Sequence, residues 1–556
     1  MAEARIGVFV CRCGTNIGGF VDVPALVEYA KGLPNVVFSQ ENLYTCSEAG
    51  LTEIRQAIAD HQLNRVIVAS CTPRTHEPLF RSTCKAAGLN PYLFEFVNIR
   101  EQCSWVHMHE PEAATEKARA LIRMGVARAK LLEPQEEIEV EVLPSALIIG
   151  GGIAGMTCAL SLADRGFEVT LVERDRTLGG RLKDLYTLSP TQEDASDLLA
   201  GKMASVKANR NIEVLTSATV RAVNGFFGNY DVTITQDGTD IPFKAGVIVV
   251  ATGAEEFKPQ GMYGYDGKKV ITQLELERLL KADRFDAENI VMIQCVGARD
   301  AKRPYCSRVC CITALKNAMI LVERNPKAQI VILYRDLQTY GTVYEAVYRK
   351  AREAGILFVK YAPQRPPVVN GSVVTVFDGL LGEELLLPYD YLVLSTPLIA
   401  YPDSGELAKM LKVPVDEYGF FLEAHVKLKP LDFATDGVYL CGSAHWPSTV
   451  SESIAQAYGA ASRASIPLSQ RRVRAEPIIA VVDEEKCIGC GLCELICPFK
   501  AIRLEDMPGG RIARTLVASC KGCGVCGAAC PQRAITMRHF TDEQMLAEIV
   551  ALTEER

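Results

Sequence analysis

The chain has 556 residues, enough for three to four domains with real cores. Its formal net charge of −7 argues against nucleic acid as the main partner, and no apolar run reaches the ~18 residues of a membrane span. Ile6–Val10 is too short to be the core of a secretory signal, so a cytoplasmic location is expected. Disulfides do not explain 20 cysteines in a reducing compartment. Most fall into three groups, for which metal clusters are the better reading.

Over residues 1–143, the apolar runs Ile6–Val10, Val36–Ser39 and Arg65–Ala69 alternate with helical patterns at Val23–Lys31 and Ala49–His61. This alternation predicts a small parallel α/β sheet. Each run ends close to cysteine: Cys11 and Cys13, then Cys46, then Cys71. Parallel strands present their carboxyl ends along one edge, where ligands bind, so four thiols can converge there. The set reads as the ligands of an iron–sulfur cluster or, alternatively, as buried or redox-active thiols. Cys84 and Cys103 read as structural. Glu112–Lys130 reads as an Arg/Lys-rich helix with its basic residues on a solvated face, leading into the linker Leu132–Pro144.

The stretch Ala146–Arg181 organises the middle of the chain. Ala146–Ile149 is a buried strand, and Gly150, Gly152 and Gly155 then give GxGxxG around Ile153 and Ala154. The first glycine permits the tight turn, the second admits a pyrophosphate, and the third lets helix and strand pack. The helix after this turn starts with free N–H groups aimed at phosphate. A second strand, Phe167–Val172, ends at Glu173, where a ribose hydroxyl ligand belongs, with Arg174 next.

Further pieces resemble the flavin disulfide-reductase superfamily. They are Leu178-Gly179-Gly180-Arg181, a strand over Ala245–Ala254 ending in Ala251-Thr252-Gly253-Ala254, and Gly437–Ala444 ending in Cys441-Gly442-Ser443-Ala444. The resemblance implies FAD rather than NAD, held at these glycines, at Glu173, Arg174 and Arg181, and at Ala251, Thr252, Ser443 and Ala444. His445 either hydrogen-bonds the cofactor or is structural. Gln456 lies on a helix over Ser453–Ala461 whose N-terminus would face the flavin pyrimidine ring. The resemblance further implies an FAD domain in two halves, 144–279 and 389–474, interrupted by a second nucleotide-type domain over 280–388.

Within that insertion the strand Ile290–Gln294 is not followed by GxGxxG. The sequence reads QCVGARDAKRPYCSRVCCITALKNA, with Cys295, Cys306, Cys310 and Cys311 in place of a pyrophosphate loop. The usual NAD(P)H site is thereby lost, and four thiols suited to a [4Fe–4S] cluster stand beside the flavin domain. A redox-active CxxC pair is absent from the stretch.

Residues 475–540 carry a repeated pattern. Cys487, Cys490, Cys493 and Cys497 precede Pro498, and Cys520, Cys523, Cys526 and Cys530 precede Pro531. In this two-cluster ferredoxin run the fourth cysteine of each half serves the other cluster. Cys487, Cys490, Cys493 and Cys530 would hold one [4Fe–4S] cluster, and Cys520, Cys523, Cys526 and Cys497 the second. Zinc would want four thiols at wider internal spacing. Residues 541–556 read as a helix with Met545, Leu546, Ile549, Val550 and Leu552 on one face, packed on its own domain or docking a partner helix.

The expected fold is α/β: a FAD/NAD(P)-binding Rossmann-like core of the flavin disulfide-reductase type, an N-terminal α/β domain and a C-terminal two-cluster ferredoxin domain. The CxxxCC block with Tyr334-Arg335-Asp336 and Tyr340-Gly341, the CRCG…YTCS…ASCTPRTHEP pattern and the ferredoxin module together resemble the A subunit of heterodisulfide reductase over nearly the whole chain. That resemblance implies a cluster at the CxxxCC cysteines near FAD and places Lys316 close to the isoalloxazine. It implies flavin-based electron bifurcation or confurcation, with ferredoxin on a low-potential branch and heterodisulfide reductase B/C-like subunits on the other. A hydrogenase-linked or NADH-linked subunit would feed electrons into a hetero-oligomer, itself dimeric about this subunit. Two departures stand out: Lys183–Ala245 lacks the ferredoxin insert common in archaeal members, and Ser448-Thr449 stand where a lysine is common. Two other functions compete. A stand-alone NAD(P)H-dependent reductase would need a second GxGxxG/A in 285–320, which is missing. A non-bifurcating electron-transfer subunit of a quinone-interacting membrane-associated complex fits the same motifs.

Overall fold

A computed structural model describes residues 3–553. The chain divides into two compact units, one formed by residues up to Glu139 together with those from Arg474 onward, the other by Val140–Val473.

In the first unit a four-stranded parallel sheet has the spatial order Val36–Asn42, Ile6–Cys11, Arg65–Ser70, Phe94–Asn98. Val8 lies opposite Ile67, and Val68 opposite Phe96, so every residue of the two central strands is buried. Helices Val23–Lys31, Glu48–Asp60, Pro73–Ala86 and Pro111–Ala129 accompany it. Asp22 and Ser47 cap the first two by accepting the Ala25 and Gly50 N–H groups. The fourth strand, Phe94–Asn98, is an addition to the three apolar runs visible in the sequence.

The Pro111–Ala129 helix departs from the expected solvated basic face at two arginines, while Lys117 and, just beyond its end, Lys130 are exposed. Arg128 is buried, paired with Glu95, and donates to the His539 carbonyl at 2.5 Å. Arg123 donates to the Ala551 carbonyl at 2.6 Å. These two arginines fasten the terminal helix Asp542–Thr553 to the sheet domain. That helix packs through Gln544 and Ala551, while Met545, Leu546, Ile549, Val550 and Leu552 are exposed. The cysteine-rich module precedes that helix in the chain. Ala480–Val482 pairs antiparallel with Ile535–Met537, beside the hairpin Ile502–Met507/Gly510–Thr515 and the short helices Leu492–Ile496 and Val525–Ala529.

The second unit holds two five-stranded parallel sheets. The first has the order Val438–Leu440, Val247–Val250, Ser145–Ile149, Glu168–Val172, Ile212–Leu215, with helices Ile153–Ala163 and Val450–Gln470 packed together. The second has the order Val270–Thr272, Tyr391–Leu394, Asn289–Ile293, Gln329–Tyr334, Leu357–Lys360. It therefore reaches beyond the 280–388 read from sequence. Its inner strands are buried on both faces, against helices on one side and the Val368–Pro388 meander on the other. Each sheet carries a three-stranded antiparallel meander, Ala218–Ala245 on one and Val368–Pro388 on the other. No helix among the described residues is long and apolar enough to cross a membrane.

Candidate functional site

The carboxyl end of Ser145–Ile149 opens into a solvent-connected cavity within the second unit. Gly150, at φ +111, makes the turn there, and a side chain at that position would strike the Ala251 carbonyl at 2.4 Å. Glu173 braces the loop, its Oε2 accepting the Gly151 N–H at 2.7 Å and its Oε1 the Asp175 N–H at 2.8 Å. Arg174 stacks on Tyr401 at 3.8 Å.

Every residue expected to hold the cofactor lines this cavity except Gly155, Gly442, Ala444 and Gln456. These four support the walls. A Cβ on Gly155 would lie 1.8 Å from the Gly150 carbonyl oxygen, so the absent side chain seats the helix on the turn. Gln456 accepts the Gly442 N–H at 2.9 Å, and the Ala444 carbonyl accepts the Phe421 N–H at 3.0 Å. His445 does not line the cavity; it is buried, hydrogen-bonded to Glu423 at 2.8 Å, and burial holds its pKa below the ordinary imidazole value.

The lining fits a flavin dinucleotide. The Ile153–Ala163 helix begins at the cavity with uncapped N–H groups, the donors a pyrophosphate takes. A Cβ on Gly152 would meet no protein atom within 4 Å. Thr187 Oγ1, Thr252 Oγ1 and Arg181 Nε are buried at the cavity without hydrogen-bond partners among the described residues, and polar cofactor atoms would satisfy them.

The far wall comes from helices Gln273–Lys281 and Cys310–Arg324, which supply Glu277, Ile312, Thr313 and Lys316. Lys316 is 5 % exposed; its Nζ donates to Glu277 Oε1 at 2.6 Å and to the Thr187 carbonyl at 2.7 Å. Burial pulls the Lys316 pKa down from its ordinary value, and Glu277 opposes that.

The same helix begins at Cys310. Cys310 hydrogen-bonds Cys311, and that bond, burial and the nearby Cys295 and Cys306 push its thiol up. Burial, with Cys311 adding, pushes Cys295 up to about 11. The Arg308 N–H donates to Cys306 Sγ at 3.3 Å. All four expected thiols are thus neighbours. Arg308 ties their loop to Glu452 at 2.6 Å, in the capped first turn of Val450–Gln470. Arg299 pairs with Asp336, and Arg335 donates to the Arg299 carbonyl at 2.9 Å, which is what the Tyr334-Arg335-Asp336 motif does here.

In the first unit, the Thr45 N–H donates to Cys11 Sγ at 3.5 Å. Cys13 is pushed up by burial first and then by Cys11, Cys71 and Cys46, so these four also converge at the sheet's carboxyl edge, with Arg100 beside them. In the cysteine-rich module Cys487, Cys490, Cys493 and Cys530 line one small cavity. Cys526 is pushed up to about 11 by burial and by Cys520, with Cys497 and Cys523 also near. The fourth cysteine of each half thus stands with the opposite half. Gly489 lets this loop approach the Arg511 carbonyl, which a Cβ would reach at 2.2 Å. Among the described residues no group of three Cys, His, Asp or Glu side chains is arranged for a single metal ion.

Sequence reasoning missed Glu277, Thr187 and Tyr401. None sits in a motif, and no local signal marks them.

Residues 144–298 match the pyridine nucleotide-disulphide oxidoreductase family, and residues 480–537 match the 4Fe-4S dicluster domain. The chain is 40 % identical to the iron-sulfur A subunit, copy 1, of the CoB–CoM heterodisulfide reductase of Methanopyrus kandleri, covering 100 % of this chain and 98 % of the relative. That alignment spans 657 positions against 556 residues here, so the relative carries a stretch with no counterpart in this chain. The chain is 39 % identical to the A subunit of the H(2):CoB-CoM heterodisulfide,ferredoxin reductase of Methanothermobacter thermautotrophicus, again covering 100 % and 98 %. The iron-sulfur A subunit of the CoB–CoM heterodisulfide reductase of Methanocaldococcus jannaschii is 39 % identical over 99 % of this chain and 98 % of its own. With a flavin-type cleft, a dicluster module and full-length likeness to these proteins, the chain belongs to the family of heterodisulfide reductase A subunits, flavin- and iron–sulfur-containing oxidoreductases.

Proposed function

We propose that this protein is the flavin subunit of a multi-subunit complex and performs flavin-based electron bifurcation or confurcation. Ferredoxin would take the low-potential electrons, and heterodisulfide reductase B/C-like subunits the others. FAD held in the second unit's cavity would supply the exchange between electron pairs and single electrons. The Gly150–Gly152 turn and the helix N-terminus hold its pyrophosphate, and Lys316 stands as a cation at the isoalloxazine. The Cys295 set, the two ferredoxin sets and the Cys11 set hold four [4Fe–4S] clusters.

One observation carries the reading: the helix that presents Cys310 and Cys311 to the thiol set is the helix that puts Lys316 into the flavin cavity. A one-electron carrier and a two-electron site therefore share one rigid element, where an NAD(P)H reductase has its second phosphate loop. Three relatives bear names that join heterodisulfide to ferredoxin reduction, which supports the partner assignment.

Spectroelectrochemistry of the complex tests it. Bifurcation requires that the second electron leave the flavin at a potential far below the first. Two ordinary, close one-electron potentials would instead assign the chain to a non-bifurcating complex. The chain alone is expected to resist reduction by NADH or NADPH, and rapid bleaching by either would contradict the loss of the nucleotide loop.

A further inference from the structure

The cavity's far wall holds an ion pair that neither the glycine fingerprint nor the cysteine motif explains. Glu277 is 1 % exposed and lies 39 residues before Lys316. Its Oε1 takes the Lys316 ammonium at 2.6 Å, and its Oε2 takes the Tyr186 N–H at 2.9 Å. The Thr187 carbonyl takes a second ammonium proton at 2.7 Å. An ammonium has three N–H groups. Two are committed to the protein, and Lys316 lines the cavity, which leaves the third for its occupant. A flexible four-carbon side chain is thereby held from two other elements in one direction.

We propose that Glu277 is the positioning residue of the flavin site, fixing Lys316 as a charged donor and aiming its remaining N–H at the isoalloxazine. The proposal rests on the reading that places Lys316 beside that ring.

Burial disfavours the ammonium, and Glu277 is the group that opposes it. The other groups facing the pair are the Thr187 carbonyl, the Tyr186 N–H and the Arg181 guanidinium, which shares Glu277 from the turn after the second strand. With Glu277 neutral, burial acts alone. Lys316 then sheds its proton at lower pH, and the reduced, anionic flavin loses its cation.

The test is the flavin midpoint potential of the assembled holoprotein, followed across pH and compared with the wild type at each pH. Lys316→Met is expected to lie below the wild type throughout. Glu277→Gln is expected to lie near the wild type at the acid end and fall to the Lys316→Met value at the alkaline end. The gap there should reach at least tenfold in the oxidised-to-reduced ratio at fixed poise, about 30 mV for a two-electron couple. The double variant should follow Lys316→Met at every pH. FAD and iron are assayed in each. If Glu277→Gln fails to retain FAD, Glu277→Asp, which keeps the charge one methylene short, should retain it and fall between wild type and Lys316→Met.

If Lys316→Met moves the potential but Glu277→Gln tracks the wild type, or rises by the same amount at every pH, Glu277 does not position the lysine. A Glu277→Asp that matches the wild type throughout would say the same. If Lys316→Met leaves the potential unchanged, the placement of Lys316 is itself wrong.

Discussion

Gly152→Ala separates the cavity's architecture from its occupant. Gly152 precedes the Ile153–Ala163 helix at φ −74°, ψ −174°, a conformation alanine adopts freely, and its Cβ would meet nothing within 4 Å. Removing glycine's freedom from the unfolded chain should stabilise the protein by about 0.4–1 kcal/mol. The new methyl stands where a pyrophosphate would rest on the helix N-terminus. Crowding of that kind costs about 1–3 kcal/mol, or roughly 5- to 150-fold in affinity at about 1.4 kcal/mol per tenfold. Gly155→Ala is the control. Its methyl would fall 1.8 Å from the Gly150 oxygen, so fold and cofactor should suffer together. Thermal unfolding of the apoprotein and FAD titration by flavin fluorescence read the two effects apart. A Gly152→Ala protein that folds normally and binds FAD as tightly as the wild type would refute the placement of the pyrophosphate.

Two further outcomes are expected. Anaerobically purified protein should carry roughly 16 iron per flavin, and Cys71→Ser about 12, taking four per cubane; a wild-type value near 12 would mean that the N-terminal thiols hold no cluster. Arg128→Met should leave Glu95 buried without its cation and cost the first unit about 3–5 kcal/mol. At about 2–4 °C per kcal/mol for a unit of this size, its melting point would drop by roughly 6–20 °C, with part restored by adding Glu95→Gln. A loss under about 1 kcal/mol would show that the pair is solvated.

What could be read in the sequence was what local chemistry imposes. Gly150, Gly152 and Gly155 are spaced by the geometry of one turn, and the ferredoxin cysteines by the reach of one loop around one cluster, so both patterns survive as strings. Glu277 leaves no such trace. It is an acid on an amphipathic helix, and its meaning comes from Lys316 on another helix. Arg128 misled for the same reason: a lysine- and arginine-rich helix reads as solvated until a carbonyl 411 residues away closes over it. In the terminal helix the apolar spacing marked a face but not its side. Gln544 makes the buried contact by donating to the Leu131 carbonyl at 2.9 Å, leaving the apolar residues outward. The strand Phe94–Asn98 went unread because its place beside Arg65–Ser70 is set by pairing across the sheet, which a run of five residues does not announce.

The hold of Arg128 on the His539 carbonyl has a consequence for biosynthesis. The sheet domain is translated before the flavin unit, yet the acceptor that completes its buried guanidinium lies 411 residues further along the chain. At about 5–20 residues per second, the nascent sheet waits roughly 20–80 s for it. During that interval the flavin unit emerges whole and can close on itself. The first unit has to keep its Glu95–Arg128 edge open until the cysteine-rich module arrives.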